Sequence, residues 1–327
     1  MRISFVIPAY NAENFLPRCL HSLEPLLTLG HEAVIVNDGS TDTTPDILSS
    51  FAATHPTVQL ITQENQGQSV ARNVGVRRAT GDYIWFLDAD DYLDEQIPDE
   101  LMQVLAANES DVIVIGRTEE YGDSSATIPS LLTRAYASGT DYFREANMKA
   151  WYRTQPWDKI VHRSLLVDND ITFEPGMMFE DMFYCLRVMV RAQKTTQLAI
   201  YPYHYVLYNP GSLTKQTRPA DYDALTAVEE ATAFLDRGTS SLRSSDLAFQ
   251  LLVYTFLSSC LLKKYIPLSF TNPEAQEYVR RTMQHPLFKG AVRCCAQHPS
   301  IGLQRWGMAL CIWLSPSLSR YLIKWLM

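Results

Sequence analysis

Residues 83–93 read YIWFLDADDYL, and the fold turns on what this stretch is. Five residues suited to a fully buried strand, Tyr83 to Leu87, run straight into Asp88, Asp90 and Asp91. Carboxylates a few ångströms apart repel by ~1–4 kcal/mol per pair, between the dielectric of water and that of a protein surface. Something must offset that repulsion. An Asp-rich turn opening a helix is the plain alternative, since aspartate is common at turns and N-caps. A divalent cation held by hard oxygen ligands and shared with phosphates is the chemical one.

Outward from this strand the amino-terminal part alternates regularly. Apolar runs at 3–7, 33–36 and 58–62 predict three more strands. Helical spacing is found over 13–27 (Phe15, Leu16, Cys19, Leu20, Leu23), after Ser40-Thr41-Asp42 (Ile47, Leu48, Phe51), and over 69–79 (Val70, Asn73, Val74, Arg77). Strands alternating with helices predict βαβ units: an α/β fold with a mostly parallel sheet and helices on both faces. Ligands of such sheets bind outside the carboxyl ends of the strands. The polar clusters Pro8–Asn11, Asn37–Thr41, Asn65–Gly67 and Asp88–Asp91 all fall there, and that convergence favours the cation. Further on, 111–116 is predicted as a strand, 119–130 as a polar loop, and 141–151 and 180–191 as helices. Beyond 217 the pattern is helical only. The expected division is 1–217, in two halves, 1–105 and 106–217, followed by a helical region, 218–327.

The composition is globular, with 46% hydrophobic and 20% charged residues among 327. The apolar run before Pro8 is too short for a signal-peptide core. The six cysteines show no CxxC pair, which predicts free thiols and no structural zinc. Net charge is −8, yet from Tyr278 onward there are seven basic residues and no acidic one. That end is +7 and the rest −15, an acidic body that argues against nucleic acid as partner.

The series FVIPAYNAENFLPRCLHSL, VIVNDGSTDTTPDIL, ENQGQSVARNVGVRRATGDYIWFLDADDYL, WDKIVHRSLL and MMFEDMFY resembles the family 2 glycosyltransferases of the GT-A fold, over about the first 215 residues. The resemblance implies an inverting transfer of sugar from a nucleotide sugar, with UDP the expected nucleotide, to a glycan or lipid-linked acceptor, with Mn2+ or Mg2+ as cofactor. By it, Pro8, Tyr10 and Asn11 line the nucleotide pocket, Asp38 accepts from uracil N3–H, and Arg72 reaches the base or the phosphates. Asp88 and Ala89 lie on the ribose and donor side, Asp90 is the principal metal ligand with Asp88 beside it, and Asp91 caps the segment after it. Asp181 is the expected general base and Glu180 its neighbour or substitute; without the resemblance, the pair would simply complement the helix dipole. Trp157 and Lys159 match a WxK feature that walls the acceptor side, the alternative being a packed aromatic with a snorkelling lysine. His204 is a further metal-ligand candidate, set against a satisfied histidine among tyrosines. The segment YNPGSLTKQ resembles the family's closing loop near the pyrophosphate. Relatives often carry an arginine just before its serine, where this chain has Tyr208 and Asn209, leaving Lys215 or Arg218 as substitutes.

At the carboxyl end, Leu318, Tyr321, Leu322, Trp325 and Leu326 share a helical stripe, with Arg320 and Lys324 off it. This is the pattern of a helix lying in a membrane interface, and it predicts a cytoplasmic protein held peripherally on the anionic inner face of the cell membrane. The alternative is a helix covering its own domain or a partner in a homo-oligomer. Two other functions are weighed: a non-catalytic sugar-nucleotide sensor at the membrane, and a nucleotidyltransferase. The latter wants a Gly-rich loop with a Lys or Arg after the first strand, and PAYNAENF has neither.

Overall fold

The computed structural model describes residues 1–127, 132–177, 179–209, 224–238, 241–261, 272–302, 305, 307–309 and 312. The chain forms two compact units, Met1–Gly139 with Arg153–Lys215, and Thr140–Tyr152 with Gln216–Met327.

In the first unit, β1 (Ile3–Ala9), α1 (Leu16–Thr28), β2 (Glu32–Asp38), α2 (Thr44–Thr54), β3 (Val58–Gln63), α3 (Gln68–Arg78) and β4 (Tyr83–Phe86) follow the predicted alternation. The strands β3, β2, β1 and β4 are parallel neighbours. Tyr83 and Trp85 of β4, and Leu87 after it, face the core shared with the leucines of α1. Phe86 points to the other face, against Phe173 and Tyr184, at 5.3 and 5.8 Å between ring centroids. The strand is therefore buried on both faces, as its unbroken apolar run requires. Gly75 of α3 lets that helix close on β1: a Cβ there would stand 2.3 Å from Val6 Cγ1.

Further along come β5 (Tyr92–Leu93), α4 (Asp99–Ala107), β6 (Val112–Val114), β7 (Arg117–Glu120), β8 (Ser125–Thr127), β9 (Arg134–Tyr136) and α5 (Gly139–Met148). After them are β10 (Lys159–His162), α6 (Arg163–Asp168), α7 (Glu180–Arg191), β11 (Thr195–Gln197) and β12 (Tyr203–Val206). The main sheet has the order β3-β2-β1-β4-β10-β6-β11-β9. It is less parallel than predicted: β10 enters antiparallel between β4 and β6, and β9 is antiparallel to β11. A second sheet, β5-β12-β7-β8, was not foreseen. The stretch predicted as a polar loop at 119–130 contributes the paired ends of β7 and β8 to it. These strands are half-buried or exposed and polar, so they carry no apolar alternation to reveal them.

The second unit is helical in its described part: α5, α8 (Ala224–Arg237), α9 (Leu247–Cys260), α10 (Pro273–Gln284) and α11 (Pro286–Ala296). Helix α9 packs against α8 and α11 and buries Phe249, Leu252, Val253 and Leu257. Arg305, one of the seven basic residues of the carboxyl end, is spent inside this unit. It donates to the carbonyls of Asn147 and Met148 at 2.9 and 2.7 Å, closing the last turn of α5. Among the described residues no helix is long and apolar enough to cross a membrane. The aromatic and basic stripe from Leu318 to Leu326 lies outside the described residues, as do Lys215 and Arg218.

Candidate active site

At the carboxyl ends of β1 and β2 two loops are tied together. The Asn11 amide donates to Ser40 Oγ at 3.1 Å, and Asn11 Oδ1 accepts from the Thr41 amide at 2.8 Å. Asn11 itself is left-handed, φ 47°, which asparagine tolerates better than most residues. Tyr10 beside it is exposed. Gly39, at φ 72°, lets the loop after β2 approach the loop after β3: a Cβ would stand 2.7 Å from the Asn65 nitrogen.

Asp38 ends β2. Its Oδ1 accepts from Gln63 Nε2 at 2.7 Å and from the Gln66 amide at 2.9 Å, and its Oδ2 from the Gly67 amide at 2.8 Å. The aspartate thus shapes the entry to α3. Oδ2, with one donor, keeps room for a second.

From β4 the chain surfaces into Asp88, Ala89, Asp90 and Asp91. Asp90 Oδ2 accepts from Asn209 Nδ2 at 2.8 Å. Burial, with Asp88 beside it, pushes the Asp90 carboxyl above the usual carboxylate range. Asp91 caps no helix. It is buried and accepts from Tyr203 Oη at 2.6 Å and from the Val206 amide at 2.8 Å, fastening β12 to the strand end. Burial pushes its carboxyl well up, and the charges of Asp90 and Asp88 add to this.

Asp88 and the first turn of α7 meet on Arg72. This arginine of α3 is 1% exposed. Its Nη2 donates to Asp88 Oδ1 at 2.9 Å, and its Nη1 to Glu180 Oε1 at 3.2 Å and Asp181 Oδ1 at 3.1 Å. Arg72 is expected at the base or the phosphates; here both its terminal nitrogens donate to carboxylates, of which Glu180 is buried and Asp88 and Asp181 are partly exposed. Gln68, one turn earlier on the same face of α3, donates to Glu180 Oε1 at 2.6 Å. Sequence reasoning passed over this glutamine, although its place four residues before Arg72 was visible. One guanidinium against three carboxylates leaves the cluster at −2 when all are ionised. Burial pushes both Glu180 and Asp181 above the usual range; Arg72 partly offsets this for Glu180, and Glu180 adds to it for Asp181.

Phe179, ahead of α7, is left-handed at φ 64° and gives the helix no side-chain cap. A bulky residue there costs ~1–3 kcal/mol, a strain found where surrounding structure over-determines a functional geometry.

Three expected residues stand apart from this cluster's hydrogen bonds. Both ring nitrogens of His204 are taken, Nε2 by Asp94 at 2.8 Å and Nδ1 by Glu120 at 2.9 Å, and Tyr92 stacks on the ring at 4.3 Å. In this arrangement both ring nitrogens face carboxylates, and His204 is set in a satisfied pocket beside Tyr92. Trp157 is buried, stacked on Tyr203 at 4.4 Å, and its carbonyl accepts from Trp85 Nε1 at 2.9 Å. Lys159 is fully buried, not snorkelling. Its Nζ pairs with Asp158 and donates to the carbonyls of Arg153 and Gln155.

A cation at Asp88 and Asp90 fits the donor set, hard carboxylate oxygens, with burial first and then the charge of Asp88 holding the Asp90 carboxyl up. Among the described residues no group of three or more His, Cys, Asp or Glu side chains could hold a metal. An open pair of carboxylates suits an ion that completes its shell on substrate phosphates, as magnesium commonly does.

Residues 4–163 match the family model described as Glycosyl transferase family 2. The uncharacterized glycosyltransferase YibD of Escherichia coli (strain K12) is 31% identical over 213 residues, covering 64% of this chain and 62% of that protein. A poly(ribitol-phosphate) beta-glucosyltransferase of Bacillus spizizenii (strain ATCC 23059 / NRRL B-14472 / W23) is 30% identical, covering 64% of this chain and 33% of its own length. Among solved structures, Staphylococcus aureus TarS 1-349 in complex with UDP-GlcNAc superposes with a TM-score of 0.71 at 20% identity, covering 97% of this chain and 91% of that one.

Proposed function

We propose that this chain, as a family 2 glycosyltransferase of the GT-A fold, moves a sugar from a UDP-sugar to a hydroxyl of a glycan or lipid-linked acceptor, inverting the anomeric carbon. The supporting observation is the bridge through Arg72, which brings a donor-side carboxylate, Asp88, and an acceptor-side carboxylate, Asp181, onto one guanidinium.

Asp38 receives uracil N3–H on Oδ2, and Pro8, Tyr10 and Asn11 border the nucleotide. Asp90, with Asp88, would hold Mn2+ or Mg2+, which as a Lewis acid neutralises the charge of the departing diphosphate. Asp181 takes the proton of the acceptor hydroxyl as its oxygen attacks the anomeric carbon. The bond to the diphosphate breaks with its electron pair leaving on the phosphate oxygen. One displacement, with base and leaving group on opposite faces, inverts the centre. Asp181 is favoured over Glu180 by accessibility. The Glu180 side chain is 5% exposed and its Oε1 already accepts from Gln68 and Arg72; that of Asp181 is 29% exposed and accepts from Arg72. A carboxyl lifted above its usual range also comes closer to the working pH at which a general base is most effective.

The test is a panel of nucleotide sugars assayed for protection against thermal unfolding, with and without Mn2+, on the wild-type chain and Asp90→Ala. UDP-sugars should protect only with the metal, and only the wild type. Protection by no nucleotide sugar, or equal protection of Asp90→Ala, would refute the reading.

A further inference from the structure

Helix α7 begins without a cap of its own: Phe179 offers no side-chain acceptor to the first amides. What its first turn does have is a pair of side chains from α3. Gln68 and Arg72 lie one turn apart and both donate to Glu180 Oε1, at 2.6 and 3.2 Å. The second branch of the same guanidinium is fixed on Asp88 at 2.9 Å, at the end of β4. The arginine is packed in place as well, with its guanidinium carbon 5.1 Å from the centre of the Phe173 ring. A rigid planar fork with bonds on two elements sets their separation more sharply than a lysine point charge could.

We propose that Arg72, supported by Gln68, is a positioning residue, which fixes the carboxylate of Asp181 relative to that of Asp88 and does not touch the nucleotide. The inference rests on Asp181 being the base of the reaction above. Loss of the fork lets the first turn of α7 drift, and a misplacement of about 1 Å in a reacting pair costs ~100-fold in rate. Donor binding draws chiefly on Asp38, Asp90 and the loops after β1 and β2; Asp88, shared between the metal site and Arg72, keeps a positive charge beside it in Arg72→Lys. The turnover constant and the donor affinity therefore separate.

The experiment uses the full chain as wild type, Arg72→Lys, Gln68→Leu, Asp181→Asn and the double variant of Arg72→Lys with Asp181→Asn. Calorimetry measures the binding of UDP with Mn2+, and metal-dependent hydrolysis of UDP-GlcNAc and UDP-glucose gives kcat and KM. Arg72→Lys should bind UDP and Mn2+ within about threefold of wild type while kcat falls ~100-fold; in the Asp181→Asn background it should cost less than about threefold more, since residues acting as a unit are not additive. A loss of UDP affinity beyond about tenfold with kcat preserved would place Arg72 on the nucleotide and overturn the proposal. So would full additivity with Asp181→Asn. If Arg72→Lys proves unfolded at the assay temperature, Gln68→Leu decides, because it leaves the guanidinium in place: lower kcat at unchanged UDP affinity supports the proposal, and wild-type kcat overturns it. A wild-type chain that neither binds UDP with Mn2+ nor hydrolyses either sugar nucleotide defeats the proposed function itself, before any variant is compared, and this inference with it.

Discussion

Lys159→Met isolates a buried charge whose role the family resemblance and the packing assign differently. The Lys159 side chain is 1% exposed and that of its partner Asp158 is 6%. Its Nζ donates to Arg153 O at 3.0 Å and to Gln155 O at 2.9 Å, tying down the turn that leads into Trp157. Burial works against the ammonium, but Asp158 and the groups around it together offset this and the lysine pKa is raised, while for Asp158 burial outweighs the lysine and lifts the carboxyl above the usual range. Methionine keeps the length of the side chain and removes both the charge and the donors. It strands the Asp158 carboxylate in the interior, a loss of about 3–5 kcal/mol for a broken buried pair. At ~2–4 °C per kcal/mol for a unit of this size, the midpoint of thermal unfolding should fall on the order of 10 °C. The double variant Asp158→Leu with Lys159→Met removes the stranded charge. It should recover all but about 2 kcal/mol, which is the worth of the two carbonyl bonds at ~1 kcal/mol each. Thermal unfolding followed by tryptophan fluorescence measures all three proteins, with sugar-nucleotide turnover assayed in parallel below the lowest transition. A Lys159→Met chain that melts with the wild type yet has lost turnover would refute the burial argument and return the lysine to the acceptor side.

Two further outcomes are expected. Asp91, Glu180 and Asp181 all have pKa values raised by folding. The folded state therefore keeps protons that the unfolded chain has lost, and stability falls as pH rises from the ordinary carboxylate value of about 4 through the raised values. With Asp181 as the proposed base, turnover should move the other way, because a base must be ionised to act. Acidification from neutrality should thus raise the melting midpoint of the free protein while lowering kcat, and parallel trends in the two would refute the assignment. A lipid-linked acceptor would place the basic, aromatic end of the chain against an anionic leaflet, where each close Lys or Arg contributes about 1 kcal/mol. The chain should pellet with anionic vesicles and a form lacking 301–327 should not; equal pelleting of both would rule that contact out.

The parts of the fold that were legible in the sequence are those where burial is two-sided. β1, β2 and β4 are unbroken apolar runs because both faces of each are covered, and all three came out within two residues at either end. β5, β7, β8 and β12 escaped notice, being short, polar or half-exposed. The reversed direction of β10 was hidden for another reason: WDKIVHRSLL reads the same whichever way the strand runs, and only its pairing with β4 and β6 reveals it.

Within the site the carboxylates were legible and their pairing was not. Asp88, Asp90 and Asp91 announce themselves because so much like charge needs an explanation, while Glu180 and Asp181 stand out only through the family resemblance. Arg72 carries no such mark, since one arginine in VARNVGVRR looks like any other. The structure distinguishes it from its neighbours Arg77 and Arg78, because only at its position does α3 turn inward toward both Asp88 and α7. Its single charge cannot balance three carboxylates, and the imbalance is itself informative. A protein that needed only to pin α7 to β4 could have used one carboxylate for one guanidinium, without adding like-charge repulsion to the burial that already lifts Glu180 and Asp181. The surplus of negative charge makes sense if something positive arrives from outside, and if one carboxylate is left able to accept a proton. Both belong to the transfer of a sugar from a diphosphate to a hydroxyl.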